Sequence, residues 1–177
     1  MEIARQTDDK AGEGRAYNNI GICYRNLGKV HEAIKMYEKT LEIMRQTGDK
    51  AGEGIAYCNI GICYKSIGDF ETALECAKKD LGIARQTCDI CGEGTAHYNI
   101  SEVFEASGNL TSAVEHMQLA KACYVRCFGA DHSEVIDAQQ QVDRLQRVPA
   151  GGAALMAKQT KHGVAAVEEA EKKALNL

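Results

Sequence analysis

The sequence lacks several features that mark other classes of protein. It contains no tryptophan and one proline in 177 residues, and no apolar run approaches the roughly 20 residues of a membrane span. A positively charged start followed by an apolar stretch and a small-residue cleavage site is also missing, so we expect no secretory signal. Because proline ends or kinks helices, its scarcity favours long helices. The sequence predicts no contact with a membrane.

Charge of one sign is also scarce. The net charge is −4, with both signs interspersed, and there is no basic stripe of the kind that binds nucleic acid. No Ser/His/Asp or Cys/His set can be assembled from the spacing, and the Gly-Glu-Gly segments lack the Gly-Lys-Ser/Thr of a phosphate loop. We therefore expect no catalytic residues, no metal, no cofactor and no nucleic-acid partner, and we predict that the protein is not an enzyme.

Cysteine, by contrast, is abundant, with eight residues. Most lie inside helical patterns, where a free thiol acts as a small apolar group, whereas a secreted disulfide scaffold is usually short and rich in loops. We therefore predict free thiols and a cytoplasmic location. The alternative is a zinc site, because Cys88-x-x-Cys91 and Cys123-x3-Cys127 have the short spacings of thiolate ligands.

A period of 40 residues dominates the sequence. Residues 6–45 and 46–85 are identical at more than half of their aligned positions, and 86–125 keep the same framework before diverging. A fixed period of this length is typical of stacked supersecondary units. The landmarks that recur in phase are Gly14, Gly54 and Gly94; Asn19, Asn59 and Asn99; Ile20, Ile60 and Ile100; Gly28, Gly68 and Gly108; and Ala33, Ala73 and Ala113.

Each copy predicts a pair of helices, A and B. Asp9, Asp49 and Asp89 stand where a helix N-cap is expected, ahead of the first periodic residues. The glycines at 28, 68 and 108 follow helix A, where a left-handed residue closes a helix. Gly21 and Gly61 fall in mid-helix, where glycine is costly, so we expect close approach of helix B at Ala33 and Ala73. The residues predicted to form the core face of the first helix A are Tyr17, Ile20, Tyr24 and Leu27.

The repeats divide the chain into predicted units. Residues 1–8 match the end of a later helix B, which predicts the tail of a truncated preceding repeat in a fragment of a longer array. A further helix after the third copy lacks the repeat signature and is predicted to cap the stack. The predicted units are 1–8 (tail), 9–47, 48–87 and 88–127 (three repeats), 128–147 (capping helix), 148–152 (linker) and 153–177 (C-terminal helix).

The recurring positions resemble the tetratricopeptide repeat (TPR) family, whose helix–turn–helix unit places aromatic, aliphatic and small residues at set offsets. The first copy supplies Tyr17, Ile20, Gly21, Tyr24, Ala33 and Tyr37. The 40-residue period is similar to the repeats of the Pins/LGN group of G-protein-signalling modulators, and residues 128–135 resemble the inter-repeat motif of kinesin light chains. The resemblance implies an all-α fold: a right-handed superhelix of antiparallel helix pairs, or α-solenoid, with a C-terminal capping helix.

The resemblance also implies that the helix A faces line a concave groove that holds an extended peptide of a partner protein. An asparagine recurs on this face once per repeat. Its amide is both donor and acceptor, so we predict that it bonds a peptide backbone; the alternative is that it bonds a neighbouring helix and sets the repeat spacing. The predicted peptide-binding residues are Arg15, Asn18, Asn19, Ile22, Arg25, Asn26, Ile55, Cys58, Asn59, Ile62, Lys65, Thr95, Tyr98, Asn99, Glu102 and Glu105.

The groove is predicted to be positive at one end and negative at the other. Arg15, Arg25 and Lys65 lie in the first two repeats, whereas Glu102 and Glu105 lie in the third. We hypothesise a peptide with acidic residues toward the first repeat, an apolar anchor at the second and a basic residue near the third. Two rivals remain: a structural segment that self-associates through exposed repeat ends with no ligand in the groove, and autoinhibition by residues 153–175 lying in it.

Overall fold

The computed structural model describes residues 2–147, with side chains from residue 10 onward, and this part of the chain is entirely α-helical apart from short turns. The helices are α1 (Glu2–Asn26), α2 (Val30–Thr47), α3 (Lys50–Ser66), α4 (Phe70–Gln86), α5 (Ile90–Ala106), α6 (Leu110–Phe128) and α7 (Ser133–Gln146). Each packs against the helices before and after it, and α3 also touches α5. Because the turns are short, sequential helices are antiparallel neighbours. The predicted all-α solenoid is confirmed.

Local side-chain chemistry accounts for the ends of most helices. Asp49 accepts a hydrogen bond from the backbone N–H of Gly52 at 2.8 Å, and Asp89 accepts one from that of Gly92 at 2.9 Å. Each bond satisfies a backbone donor that the first turn of a helix leaves without a partner. The glycines at 28, 68 and 108 all have positive φ, as predicted for residues that end helix A.

The predicted helix start after Asp9 is wrong, because α1 runs without interruption from Glu2 to Asn26. One repeat later the same place is a break: Gly48 has φ of 73° and ends α2. The equivalent residue is Asp8, and a residue with a Cβ carries a steric penalty in that left-handed conformation. Cys88 does adopt it, with φ of 56°, where α4 turns back to pack against α5. The division into units before and after residue 9 stays a prediction.

The predicted core face of α1 is only partly buried. Ile20 is 44% exposed and Leu27 is 71% exposed, whereas the equivalent Ile60 and Ile100 are 4% and 1% exposed. Ile60 packs into a cluster with side chains of α2, the preceding helix. Among the helices that the structure describes, none packs on the corresponding side of α1. The sequence pattern identified an apolar face correctly but not whether another helix covers it.

The core runs along the stack as clusters between successive helices. Tyr37 and Ile60 belong to a cluster shared by α2, α3 and α4, and Ile100 joins α5 to α4. Met117 of α6 and Leu145 of α7 belong to a further cluster. Helix α7 therefore lies against α6 and occupies the place predicted for the capping helix.

Helices A and B cross closely at the recurring small residues. A Cβ added to Gly61 would lie 3.3 Å from the backbone oxygen of Ala73, so the predicted close approach is confirmed in the second copy. In the first copy the atoms nearest to the same position on Gly21 belong to the Tyr37 ring and not to Ala33. The third copy has Ser101 at this position, and its hydroxyl donates to the backbone oxygen of Ala113 at 2.6 Å. The serine thus replaces a direct backbone contact with a hydrogen bond.

The prediction of free thiols is wrong for one pair. Cys91 in the first turn of α5 and Cys127 in the last turn of α6 form a disulfide, with their Cα atoms 5.8 Å apart. The other six cysteines are free. Periodicity places each cysteine on its own helix, but it does not reveal that the start of helix A lies beside the end of its own helix B. Within residues 10–147, no three His, Cys, Asp or Glu side chains are grouped as metal ligands.

The predicted linker at 148–152 and the predicted C-terminal helix at 153–177 lie outside the described residues, and so does the autoinhibition rival that depends on them.

Candidate peptide-binding groove

The predicted groove residues lie on α1, α3 and α5, which we call the helix A row. None of the sixteen is buried: Arg15, Asn19, Ile55 and Thr95 are among the exposed ones, and others such as Asn59 are half-buried. Alternate helices of an antiparallel stack run in the same direction, and α3 touches α5 directly. The row therefore presents a polar surface with one set of side chains per repeat.

Two of the three recurring asparagines, Asn59 and Asn99, form hydrogen bonds within the row. The amide nitrogen of Asn59 donates to Oδ1 of Asn18 at 3.0 Å, and its Oδ1 accepts from Arg25 at 3.5 Å. The amide nitrogen of Asn99 donates to the sulfur of Cys58 at 3.2 Å. Each amide thus reaches the preceding helix A, as the spacing alternative describes. An amide has two N–H groups and an acceptor oxygen, so each retains capacity for a ligand.

The predicted charges of the groove are largely paired within the stack. The Lys65 ammonium lies 2.6 Å from a carboxylate oxygen of Glu102. Glu105 receives two hydrogen bonds from Arg144 of α7, at 2.6 and 2.7 Å. Arg144 is a neighbour that the sequence interpretation missed, because α7 lacks the repeat signature. The negative end of the groove is consequently weaker than the count of its acidic residues indicates.

A cavity of about 490 Å³ opens between α3, α4 and α5, and we call it the Asp80 cavity. It is bordered by the predicted groove residues Ile55, Cys58 and Thr95, and its wall on α4 includes Asp80 and Ala84. It occupies the second repeat and the start of the third. It therefore brings together residues from both helices of one repeat and from the first helix of the next.

Asp80 is the most unusual side chain of this cavity. It is 8% exposed; within residues 10–147 it has neither a hydrogen bond nor an ion pair, and its oxygens are not fully buried. Burial, assisted by the neighbouring carboxylate of Asp89, raises the pKa of Asp80 to about 7. The same burial, followed by the charge of Asp80, raises the pKa of the Cys58 thiol to about 11, so Cys58 is an inert thiol at neutral pH.

The comparisons with known proteins agree with this architecture. The family model that matches the chain is that of the tetratricopeptide repeat, over residues 2–86. Residues 2–86 are tetratricopeptide repeats. A search of curated protein sequences finds no match.

Solved structures extend the TPR likeness along the rest of the stack. A protein of Podosopora anserina assigned to the kinesin light chains, with nearly identical TPR-like repeats, has a TM-score of 0.65 at 18% identity, covering 88% of this chain and 74% of that chain. A variant of the same protein has a TM-score of 0.64 at 17% identity, covering 90% of this chain and 76% of that chain. At these identities the likeness shows the TPR fold alone.

The third TPR copy departs from the first two at an aromatic position. His97 replaces the tyrosine of Tyr17 and Tyr57 and is 3% exposed. Its Nδ1 lies 2.9 Å from Nδ1 of His116 on α6. Burial, then His116 and then Arg85, lowers the pKa of His97 to about 4. The pair is therefore uncharged near neutral pH and takes part in packing.

Tyr98, another predicted groove residue, faces the end of the TPR stack. It lines a cavity of about 380 Å³ together with Tyr124 of α6 and Asp137 of α7. Because α7 borders this cavity, the last helix A of the row is partly covered. In the part of the chain that the structure describes, no helix is both long and apolar enough to cross a membrane.

Proposed function

We propose that this TPR stack is a non-catalytic adaptor that binds an extended peptide of a partner protein along the helix A row. TPR proteins generally act as scaffolds for protein partners. The observation that carries the proposal is the polar row itself, in which every predicted groove residue is exposed or half-buried and a cavity opens between α3 and α5. The proposed compartment is the cytoplasm, which the six free thiols favour and the Cys91–Cys127 disulfide opposes.

The peptide is proposed to cross the row at Asn59. This residue already touches Asn18 and Arg25 of the neighbouring helix A, so a ligand at this point would contact two repeats at once. The polar side chains around it are suited to the backbone groups of an extended segment. The apolar edge of Ile55, which is 57% exposed, offers an anchor beside them.

The proposal is tested by screening a peptide array with the purified chain, the Asn59→Ala variant and a matched control. Gln118→Ala removes an exposed amide from α6, outside the row, and serves as that control. We expect Asn59→Ala to lose peptides that the chain and Gln118→Ala retain, with unchanged helical circular dichroism. If peptides bind equally well to Asn59→Ala, the helix A row is not the binding site. If no peptide on the array binds the chain, the proposed peptide-binding function is wrong.

A second candidate function is self-association through the side of α1. It is favoured by the exposure of Ile20 and Leu27, at 44% and 71%, where the equivalent Ile60 is buried. Analytical ultracentrifugation at several concentrations tests it. Self-association predicts a mass that rises with concentration in the chain and in Leu119→Glu, which alters an exposed residue of α6, but not in Ile20→Glu. A constant monomer mass would eliminate this candidate.

A further inference from the structure

The second repeat carries a largely buried carboxylate, without a hydrogen bond or ion pair within residues 10–147, beside an open cavity, and the other repeats have no carboxylate at this register. We propose that the Asp80 cavity receives the lysine or arginine side chain of a bound peptide, with its cationic group on the Asp80 carboxylate. This inference rests on the proposed peptide-binding function and identifies one residue class of the ligand. The sequence placed the basic residue of the peptide near the third repeat, where Glu102 and Glu105 of α5 lie, whereas this inference places it at Asp80 of α4.

The charge is specific to the second repeat. The residue equivalent to Asp80 in the first repeat is Thr40, whose hydroxyl is satisfied by the backbone oxygens of Gly14 and Met36 at 3.2 and 3.1 Å. In the third repeat it is Ala120, which is fully buried and has no polar atom. Neither residue leaves a buried polar group without a partner. Asp80 has no protein partner within residues 10–147, and its oxygens reach solvent through the cavity, so a donor or cation that enters the cavity can bind them.

The space beside the recurring glycine of helix A (Gly14, Gly54 and Gly94) also differs between the repeats. In the first copy the side chain of Met44 fills it, lying 2.4 Å from where a Cβ on Gly14 would be. In the third copy the ring of Tyr124 lies there, 2.8 Å from the corresponding position on Gly94, and it also lines the cavity of about 380 Å³ beside α7. The second copy has Ala84 at this register, and Ala84 lines the cavity. The side chain at this register is therefore large in the first and third repeats and only a methyl group in the second.

The walls suit a long basic side chain. Ile55 and Ile83 border the cavity and supply apolar surface for the methylene stem that lysine and arginine pack against their surroundings. Oδ1 of Asp80 lies 3.0 Å from where a Cβ on Gly54 would be, so the absence of a side chain at Gly54 keeps this oxygen accessible. An arginine would form charge-assisted hydrogen bonds with it, and a lysine would form one.

The surrounding charges favour a cation. Asp89, at the start of α5, is the charged group that acts on Asp80, and it adds to the negative potential. From α3 the facing titratable group is the Cys58 thiol, which is neutral at pH 7. Cys91 of α5 also borders the cavity but is held in its disulfide and does not titrate. A bound cation would consequently keep Asp80 ionised, and protonation of Asp80 in mild acid would weaken binding.

The first test uses n-propylguanidinium, a mimic of the arginine side chain that does not require the rest of the groove. The amide signals of Gly54 and Gly92 are followed by NMR during titration of the chain, of Asp80→Asn and of Glu75→Gln, an exposed acidic residue on the same helix. We expect saturable shifts in the chain and in Glu75→Gln, and at least tenfold weaker binding in Asp80→Asn. Equal binding to all three proteins would overturn the inference.

The second test uses peptides selected on the array, with each lysine or arginine replaced in turn by norleucine. We expect one replacement to lower affinity at least tenfold for the chain but less than twofold for Asp80→Asn. Bound peptides with no such position would overturn the inference and leave the proposed function standing. Saturable binding of n-propylguanidinium without any bound peptide would support the cavity and count against the proposed function. Circular dichroism of Asp80→Asn and Asp80→Thr checks that both variants fold.

Discussion

Arg144 of α7 donates two parallel hydrogen bonds to Glu105 of α5, from Nη1 to Oε1 at 2.6 Å and from Nη2 to Oε2 at 2.7 Å. This bidentate geometry is the strongest that a guanidinium and a carboxylate can form. The pair links α7 to the helix A row, although α7 packs mainly on α6. It also engages an acidic residue that the sequence assigned to a ligand.

The Arg144–Glu105 pair is expected to contribute modestly to stability. The arginine side chain is 48% exposed and the glutamate 21%, and exposed ion pairs typically contribute up to about 1 kcal/mol. A double-mutant cycle with Arg144→Ala and Glu105→Ala, followed by urea unfolding, should give a coupling free energy of about 0.5–1 kcal/mol that falls in high salt. Arg126→Ala, an exposed arginine of α6, is the control. A coupling of zero would show that the pair only orients α7.

The Cys91–Cys127 disulfide is expected to stabilise the third repeat. A crosslink that closes a segment of 36 residues lowers the conformational entropy of the unfolded chain. This raises the free energy of unfolding by about 3–4 kcal/mol. The double variant Cys91→Ala with Cys127→Thr installs the residues of the second repeat at these positions. Its free energy of unfolding should be lower by that amount without reductant and equal to that of the chain with dithiothreitol.

The control for the disulfide is Cys23→Ser, which removes an exposed free thiol. It should leave the free energy of unfolding unchanged in both conditions. If the double variant unfolds like the chain when reductant is absent, the bond contributes nothing in solution. Alkylation followed by mass spectrometry of the intact chain measures directly whether Cys91 and Cys127 are bonded.

Asp80 is expected to make the stack less stable at neutral than at mildly acidic pH. Its folded pKa of about 7 lies above the ordinary value of 3.8, so between these values the folded state binds more protons than the unfolded state. The contribution of Asp80 to the free energy of unfolding therefore falls by about 2–4 kcal/mol as pH rises from about 4 to 7. The difference in unfolding free energy between the chain and Asp80→Asn, measured from pH 4.5 to 8, should follow this slope. A difference independent of pH would mean that Asp80 is ionised when folded.

Filling the Asp80 cavity should abolish its binding capacity. Ala84→Met installs the residue that fills the equivalent space at Met44, and the added side chain would occupy the path to Asp80. We expect n-propylguanidinium binding to fall at least tenfold, measured by the same NMR titration, while the helical circular dichroism is kept. Ala122→Met, at an exposed position of α6, should bind like the chain. Undiminished binding to Ala84→Met would place the ligand elsewhere.

The helices could be predicted because their ends depend on nearby residues. Asp49 and Asp89 cap the helices that follow them, and Gly68 adopts the positive φ that ends helix A. The continuation of α1 through Asp9 could not be predicted by analogy between copies, since one substitution in the turn changes its backbone preference. The exposure of Ile20 depends on which helices pack around it, and no local pattern contains that information.

The exposure of the helix A row could be predicted from the sequence, whereas the Asp80 cavity could not. The helix A residues were identified because they recur on the face opposite the core. The Asp80 cavity has contributions from α3, α4 and α5, so it required knowledge of which ends of these helices meet. A signal was nevertheless present in the sequence: Ala84 aligns with Met44 and Tyr124, and a loss of volume at one copy of a buried position indicates a cavity.

Met44 and Tyr124 occupy the register of Ala84, so the first and third repeats provide an internal control for the second. Three similar helix pairs lie in a single chain, and at the same register only the middle pair combines a small residue, Ala84, with a carboxylate, Asp80. A probe that perturbed all three alike would be reporting general affinity for TPR surfaces. A probe that perturbed Gly54 but left Gly14 and Gly94 unchanged would be reporting the Asp80 cavity, without the need for any second protein.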